Sequence, residues 1–370
     1  MSTWRSYHVY HADVDRVILD LAHPYLERVR DRLERCWWER HYAGGPHLRV
    51  RLRGPAPVVE EAGAEFQAAA GAWLAVHPGP DDARYDPDRA ALLLSQEGAD
   101  PAQEDLAYRN NQVVQRPYPA QRQVYASEEA ALLAEDFRDD MMPLAAAILR
   151  GDRPVREQML RLYFLHALAL GGGELPRGSV SFKSHWEGFA STLPSEAVIT
   201  RIQEVYRAHR EGIVALMLEV ADRWNGGGVD DDAVLGGWKA LIDAYGRRAR
   251  EALRAGTHIT AQPASVGEAA RLRDRMFGNV RRESEFVRTL WTDHRFIASL
   301  QYEPGFLVPR VLTNLLYLLL AAVGLAPLDK MALCHHAHRA PEEHFGRDLN
   351  EILRENVDTV VRAHAHRLDA

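Results

Sequence analysis

The chain has 370 residues, of which 46% are hydrophobic and 26% charged, with a formal net charge of −7. These are the proportions of an ordinary globular protein rather than a disordered or fibrous one, and the length suffices for one large domain or two. The acidic balance excludes a general nucleic-acid binder, which needs a basic footprint.

Cysteine occurs only at Cys36 and Cys334. Two thiols so far apart supply neither a disulfide framework nor a cysteine zinc site, and they suit a reducing compartment. The N-terminal residues have no apolar core behind a basic start, so no secretory signal is read. The longest apolar stretch, 311–328, is interrupted by Thr313, Asn314 and Gly324 and closed near Pro327. It reads as a buried helix and not as a membrane span, and a cytoplasmic protein is expected.

In chain order, the alternating aromatic run 4–10 predicts a strand, and 14–33 predicts a helix. Residues 36–41 and 47–53 read as two strands joined by the turn Ala43-Gly44-Gly45-Pro46, and 58–76 reads as a second helix. Strand, helix, strand, strand, helix makes residues 1–80 an antiparallel α+β unit, a candidate for binding a peptide. Residues 81–126, rich in Pro, Asp and Gln, predict a long irregular excursion of the kind that often serves function. The rest, 127–370, is expected to be mostly helical and to carry the active site. Helices are predicted at 127–149, 155–170, 194–224, 230–255, 265–277 and 311–323, with the glycine triplets at 171–173 and 226–228 as helix ends. No internal repeat or low-complexity tract interrupts this α+β plan.

No phosphate loop, dinucleotide fingerprint, nucleophile elbow or HExxH signature is present. Chemistry must come from less standard groupings. Arg49, Arg51 and Arg53 alternate with Leu48, Val50 and Leu52, which places three guanidinium groups on one strand face. That face is either solvated or built to bind a carboxylate-bearing peptide beside His47. In the segment 181–187, Ser184 and Glu187 have capping-box spacing, while Lys183 and His185 are left to line a pocket. Arg310, Thr313, Asn314 and Tyr317 recur at helical spacing within an apolar helix and predict one polar stripe. Such a stripe is either a structural hydrogen-bond network or a site lining, and Arg and Tyr suit the orientation of an amide and the movement of a proton. The cluster Cys334, His335, His336, His338 and His344 invites a metal reading. Adjacent histidines point in different directions, however, so a polar segment near a pocket mouth is expected and no metal is assigned.

The run 37–51, WWERHYAGGPHLRVR, resembles the strand pair that opens the glutamate-elimination domain of lantibiotic dehydratases. The segment 182–189, FKSHWEGF, is similar to one found in thiopeptide maturation enzymes, and the likeness extends to the late helix. Two branches of this family matter: eliminases, which expel glutamate to make dehydroalanine, and pyridine synthases, which join two dehydroalanines in a formal [4+2] aza-cycloaddition. Eliminases carry a late HMHxNR motif with a catalytic histidine. The matching stretch here is RVLTNL at 310–315, with Asn314 kept and the histidine positions lost. The eliminase ExxRYGG region is also absent, its place taken by residues 118–125. Both departures favour the pyridine synthase.

The resemblance implies a cofactor-independent, leader-dependent cyclase acting on a modified precursor peptide that contains azoles and two dehydroalanines, with loss of water and of the leader. Within it, Tyr317 is expected to transfer protons, and Arg310 and Asn314 to hold carbonyl or iminol oxygens. Tyr302 and His185 are further catalytic candidates. Arg49, Arg51, Arg53, Ser184 and Glu187 are candidates for substrate or leader binding. The alternatives are a glutamate eliminase, with Arg49 and Arg51 holding the departing carboxylate, and a non-catalytic leader-binding partner. No nucleic acid or membrane partner is expected, and the oligomeric state is not read from the sequence.

Overall fold

A computed structural model describes residues 2–80, 85–96, 104–118, 125–193, 195–260, 266–277 and 280–368. Pro194 and Ser265, at two predicted helix starts, and residues 119–124, within the stretch that departs from the eliminase pattern, lie outside them. The chain forms two compact units, one comprising Met1–Gln121, Ala134–Gly151 and Ala321–Gly324, the other Arg122–Leu133, Asp152–Leu320 and Leu325–Ala370.

In the first unit, β1 (Ser2–Tyr10) leads into α1 (Val14–Arg16), a π-helical turn (Val17–Ala22), α2 (His23–Val29) and a 3-10 turn (Arg30–Arg32). The single helix expected at 14–33 is therefore divided. Pro24 lies in the first turn of α2 and has no N–H to give the preceding turn, which widens to π geometry. Next come β2 (Arg35–His41), β3 (His47–Pro55), α3 (Ala56–Val76), α4 (Pro87–Gln96) and β4 (Gln112–Arg116). The β2–β3 turn needs its glycines: Gly44 and Gly45 have φ of 79° and 115°, and a Cβ on either would stand 2.8 Å from the carbonyl oxygens of Asp105 or Arg109.

The sheet is antiparallel throughout with order β2-β3-β1-β4, the βαββαβ arrangement of a split βαβ fold. β1, β2, β3 and α3 agree with the expectation. The structure corrects the reading of 81–126 as wholly irregular, because α4 and the edge strand β4 lie within it. β4 is five residues long and flanked by polar sequence, too short for a periodicity signal.

Tyr7 and Val9 of β1 and Leu48, Val50 and Leu52 of β3 face one way, where Tyr7 meets Phe66 of α3 at 5.8 Å. The opposite face carries Ser6, His8, His47, Arg49 and Arg51, all buried. This corrects the expectation of an open cationic face. Arg49 donates to Glu104 at 2.8 Å, and Arg51 donates through Nε to Glu39 at 3.2 Å and through Nη1 to Ser6. Arg53 pairs with Glu34 at 3.2 Å and lies over Trp4. Tyr118 covers Arg51 at 5.0 Å and donates to Glu135 at 3.0 Å. Buried guanidinium groups persist only when paired, and carboxylates from this unit pair these.

The expected helix 127–149 is α5 (Glu128–Asp140) and α6 (Met142–Arg150), divided at Met141 because Pro143 sits in the first turn of α6. The C-terminal half of α5 belongs to the first unit, where Asp136 binds Arg35 and Asp139 accepts from Arg30.

The second unit contains α7 (Val155–Leu170), α8 (Leu175–Thr192), α9 (Ala197–Gly226), α10 (Ala233–Arg254), α11 (Val266–Phe277), α12 (Glu285–Thr292), α13 (His294–Ser299), α14 (Pro304–Ala322) up to Leu320, α15 (Pro327–Phe345) and α16 (Leu349–Leu368). The segment Gln158–Leu168 of α7 is buried without a break, and α8, α9, α10 and α15 pack around it. Its Arg161 is 2% exposed and donates to Gln158 at 2.8 Å, to Glu219 of α9 at 2.9 Å and to Asp232, which also caps α10. The glycine triplets end α7 and α9 as expected.

Two readings of this half are corrected. Ser184 and Glu187 lie in the interior of α8, which starts at Leu175 with Pro176 in its first turn, so they form no capping box. The histidine segment is a helix, α15, with His335, His336 and His338 buried and His336 reaching the wall of a groove. Helices α12, α13 and α16 are additional to those expected. Among the described residues α14 alone is long and apolar enough to cross a membrane, with mean hydropathy 1.6, and 56% of that stretch is buried inside the protein.

Pairing with Arg51 lowers the Glu39 carboxyl to about 2 against the opposing effect of its own burial. A depressed carboxylate contributes stability above its unfolded pKa of about 4.3, lost as pH falls through the folded value. Acid should therefore destabilise the first unit between about pH 4.5 and 2. Glu39→Gln should flatten that dependence and, at pH 7, cost on the order of 2–4 kcal/mol by leaving Arg51 unpaired. Thermal melts of both proteins at neutral and acid pH check this, and an unchanged acid slope would contradict it.

Candidate active site

Close contact between α7 and α8 fixes the first catalytic candidate. A Cβ on Gly178 would lie 1.8 Å from the carbonyl oxygen of Ala167, so glycine alone permits this approach. Two turns along α8, His185 Nδ1 donates to the Ser181 carbonyl at 2.8 Å. That bond places the ring proton on Nδ1 and leaves Nε2 as a basic lone pair. Burial lowers the His185 pKa, and the charges of Lys330 and Arg310 act in the same direction against the Ser181 hydrogen bond. The imidazole is therefore neutral at pH 7.

Tyr317 of α14 meets this ring edge-on, with centroids 5.3 Å apart at 87°. Its hydroxyl lies 3.4 Å from Cys334 Sγ on α15, Lys330 Nζ stands 4.8 Å over its ring, and the Tyr163 ring of α7 is 6.4 Å away. Burial, then Cys334 and Tyr163, raise the Tyr317 pKa well above 10. Burial likewise lifts the Cys334 thiol to about 11 and Tyr163 well above 10. All three groups keep their protons at neutral pH. The result is a phenol able to donate a proton beside an imidazole able to accept one, with Lys330 and Arg310 as nearby positive charges.

The expected stripe on α14 divides. Arg310 and Asn314 are exposed and Tyr317 is half-buried, whereas Thr313 is fully buried and hydrogen-bonded to His166 Nε2 at 3.1 Å. Thr313 is thus part of the interior, and the other three share an accessible face. Tyr302 lies in a 3-10 turn before α14, with its ring 6.0 Å from that of His364 on α16. Ser184 and Glu187 are half-buried on α8, and burial raises the Glu187 carboxyl pKa.

A second polar cluster joins α8 to α15. Lys183 Nζ donates to Glu342 at 2.8 Å with both side chains largely buried, and against its own burial His338 and Lys183 together hold Glu342 down to about 2. His335 and His336 share a hydrogen bond between Nδ1 atoms at 3.3 Å. Burial, reinforced by the neighbouring imidazoles, lowers their pKa values to about 2 and about 4. Among the described residues no three His, Cys, Asp or Glu side chains are grouped to hold a metal ion.

Sequence reading missed Lys330, Tyr163 and the Lys183–Glu342 pair, and it weighed Cys334 only as a ligand. One signal was available: lysine occurs only at Lys183, Lys239 and Lys330 in a chain whose 45 basic residues are otherwise arginine. Two of those three lysines lie in this region.

Burial raises the thiols of Cys36 and Cys334 to about 12 and about 11. Neither should react with an aromatic disulfide reagent at pH 8 in the folded protein, and both should react after unfolding in guanidinium. Rapid labelling of one thiol in the native state would contradict the burial of that site.

Among curated proteins none matches this chain. Among solved structures, the pyridine synthase TbtD from thiomuracin biosynthesis superposes with a TM-score of 0.70 at 22% identity, covering 93% of this chain and 99% of its own. TsrL gives 0.67 at 19% identity, covering 96% and 98%. The tRNA-dependent lantibiotic dehydratase MibB from Microbispora sp. 107891 gives 0.48 at 14% identity, covering 93% of this chain and 28% of its own. The fold is thus that of TbtD and TsrL from end to end. The family model described as lantibiotic biosynthesis dehydratase C-term matches residues 4–341, and the chain belongs to that family.

Proposed function

We propose that the protein is a peptide cyclase of thiopeptide maturation that joins two dehydroalanines of a leader-bearing precursor into a pyridine. The observation that carries this reading is the likeness, over nearly the whole length of both chains, to a pyridine synthase. The neutral His185 beside a protonated Tyr317 supports it, because the reaction consists of proton movements around a peptide held in a folded conformation.

In this reading an amide preceding one dehydroalanine becomes its iminol as the nitrogen loses a proton and the oxygen gains one. The resulting aza-diene adds across the second dehydroalanine, forming one C–C bond to each end and closing a six-membered ring. Water then leaves with the iminol oxygen, and the leader leaves as its amide, each elimination removing a ring proton and yielding the aromatic pyridine. His185 Nε2 accepts protons and the Tyr317 hydroxyl donates them. Arg310 and Asn314, exposed on the same helix face, hold carbonyl and iminol oxygens, and Lys330 adds positive charge beside the phenol. No redox cofactor is needed for this balance, and the expected location is the cytoplasm. The eliminase reading has less support, since Arg49 and Arg51 already hold Glu104 and Glu39.

Incubation with a linear bis-dehydroalanine precursor, followed by mass spectrometry, tests the reading. Leader release with loss of water is expected. Loss of glutamate from a glutamylated precursor would identify an eliminase instead, and binding without turnover a recognition protein. Tyr317→Phe should lower single-turnover rate by about 10²-fold with little change in peptide affinity. A lowered melting temperature with a normal rate would return Tyr317 to a structural role. Because the His185 pKa is depressed, its basic form persists below the ordinary 6.5. The acid limb of the rate profile should therefore begin below pH 6.5, and move or disappear in His185→Gln.

A further inference from the structure

Away from these residues, α7, α9 and α15 enclose an open groove of about 1260 Å³. This exceeds the roughly 300–1,000 Å³ of ordinary small-molecule pockets, which favours a peptide-sized occupant. Its α9 wall is the stripe Val205, Ala208, Gly212 and Leu216, spaced at three and four residues, and α15 contributes Leu328 and Ala332 at the same spacing. A Cβ on Gly212 would meet nothing within 4 Å, and Leu328 is 48% exposed. Small residues along an apolar groove allow a helix backbone to approach closely, and its anchors would fall at i, i+4 and i+7. From Arg201 to Leu216 the wall extends about 22 Å at 1.5 Å per residue, the length of a helix of about 15 residues.

Charge selects the sign of that helix. Four arginines line the groove, and two are committed: Arg156 to Asp329 at 2.7 Å and Arg210 to Glu343 at 2.8 Å. Glu157 is held by Arg153 at 2.7 Å. Among the described residues Arg201 and Arg207 have no ion-pair partner, and both are exposed along the rim, against the single unpaired acid Glu211. The geometry points to a docking groove for an acidic, amphipathic helical segment of a peptide partner, its apolar face against Val205, Gly212 and Leu328 and its carboxylates beside Arg201 and Arg207. This assignment stands on the groove alone and does not require the cycloaddition.

The probe is a fluorescein-labelled peptide of about 15 residues with leucine at i, i+4, i+7 and i+11 and glutamate and alanine elsewhere, with a lysine-for-glutamate version as control. Fluorescence anisotropy with the full chain should give saturable binding of the acidic probe that weakens as salt rises. Gly212→Trp, which fills open space, and the surface pair Arg201→Glu with Arg207→Glu should each reduce affinity by at least about tenfold. Should Gly212→Trp disturb the circular dichroism spectrum, the arginine pair decides alone. The proposal is overturned if the acidic probe does not bind, if both probes bind equally, or if the arginine pair has no effect. It is also overturned if sedimentation reveals a dimer of this chain that Gly212→Trp dissociates, since the groove would then hold a second copy.

Discussion

The helix α7 is enclosed along Gln158–Leu168, where a charged side chain persists only if neighbouring helices pair it. Its Arg161 reaches Glu219 of α9 and Asp232, the residue that also caps α10. His166 meets Thr313 of α14, and Tyr163 stacks on Phe182 of α8 at 4.6 Å. Polar groups thereby tie α7 to α9, to the cap of α10 and to α14, and ring stacking ties it to α8. The Tyr163 ring also approaches Tyr317, so the same enclosed helix that organises the unit supports the phenol of the candidate site.

Burial sets the chemistry of that site more than charge does. It keeps Tyr317 and Cys334 protonated and His185 neutral, and the cations Lys330 and Arg310 reinforce the neutral imidazole rather than oppose it. The arginines on the sheet face of the first unit instead keep their charges against carboxylates, as Arg161 and Lys183 do in the second.

Regular periodicity made β1, β3, α3 and α7 legible, because each presents one apolar face or is apolar throughout. The breaks at Pro24 and Met141 were not legible, since an apolar pattern continues across them and only the missing N–H of proline interrupts the ladder. The arginine stripe was read correctly as one face, but its fate depended on Glu39 and Glu104, 12 and 55 residues away in sequence. Tyr317 and His185 were visible as polar groups in informative settings, whereas Lys330 joined them only through the packing of α15 on α8 and α14. Pairings made across long sequence separations leave no local signature, and most of the site is built from them.

The first unit is assembled from chain segments that are far apart in sequence. Arg30 and Arg35 border the sheet, yet their acidic partners Asp139 and Asp136 lie about a hundred residues later. During synthesis from the N-terminus, β1 to β3 therefore emerge with basic groups whose counter-charges have not yet been made. Nascent sheet and completed sheet differ in electrostatic balance, and the transition comes when the C-terminal half of α5 arrives. Any factor that meets the growing chain before that point encounters basic groups that the finished protein pairs with carboxylates.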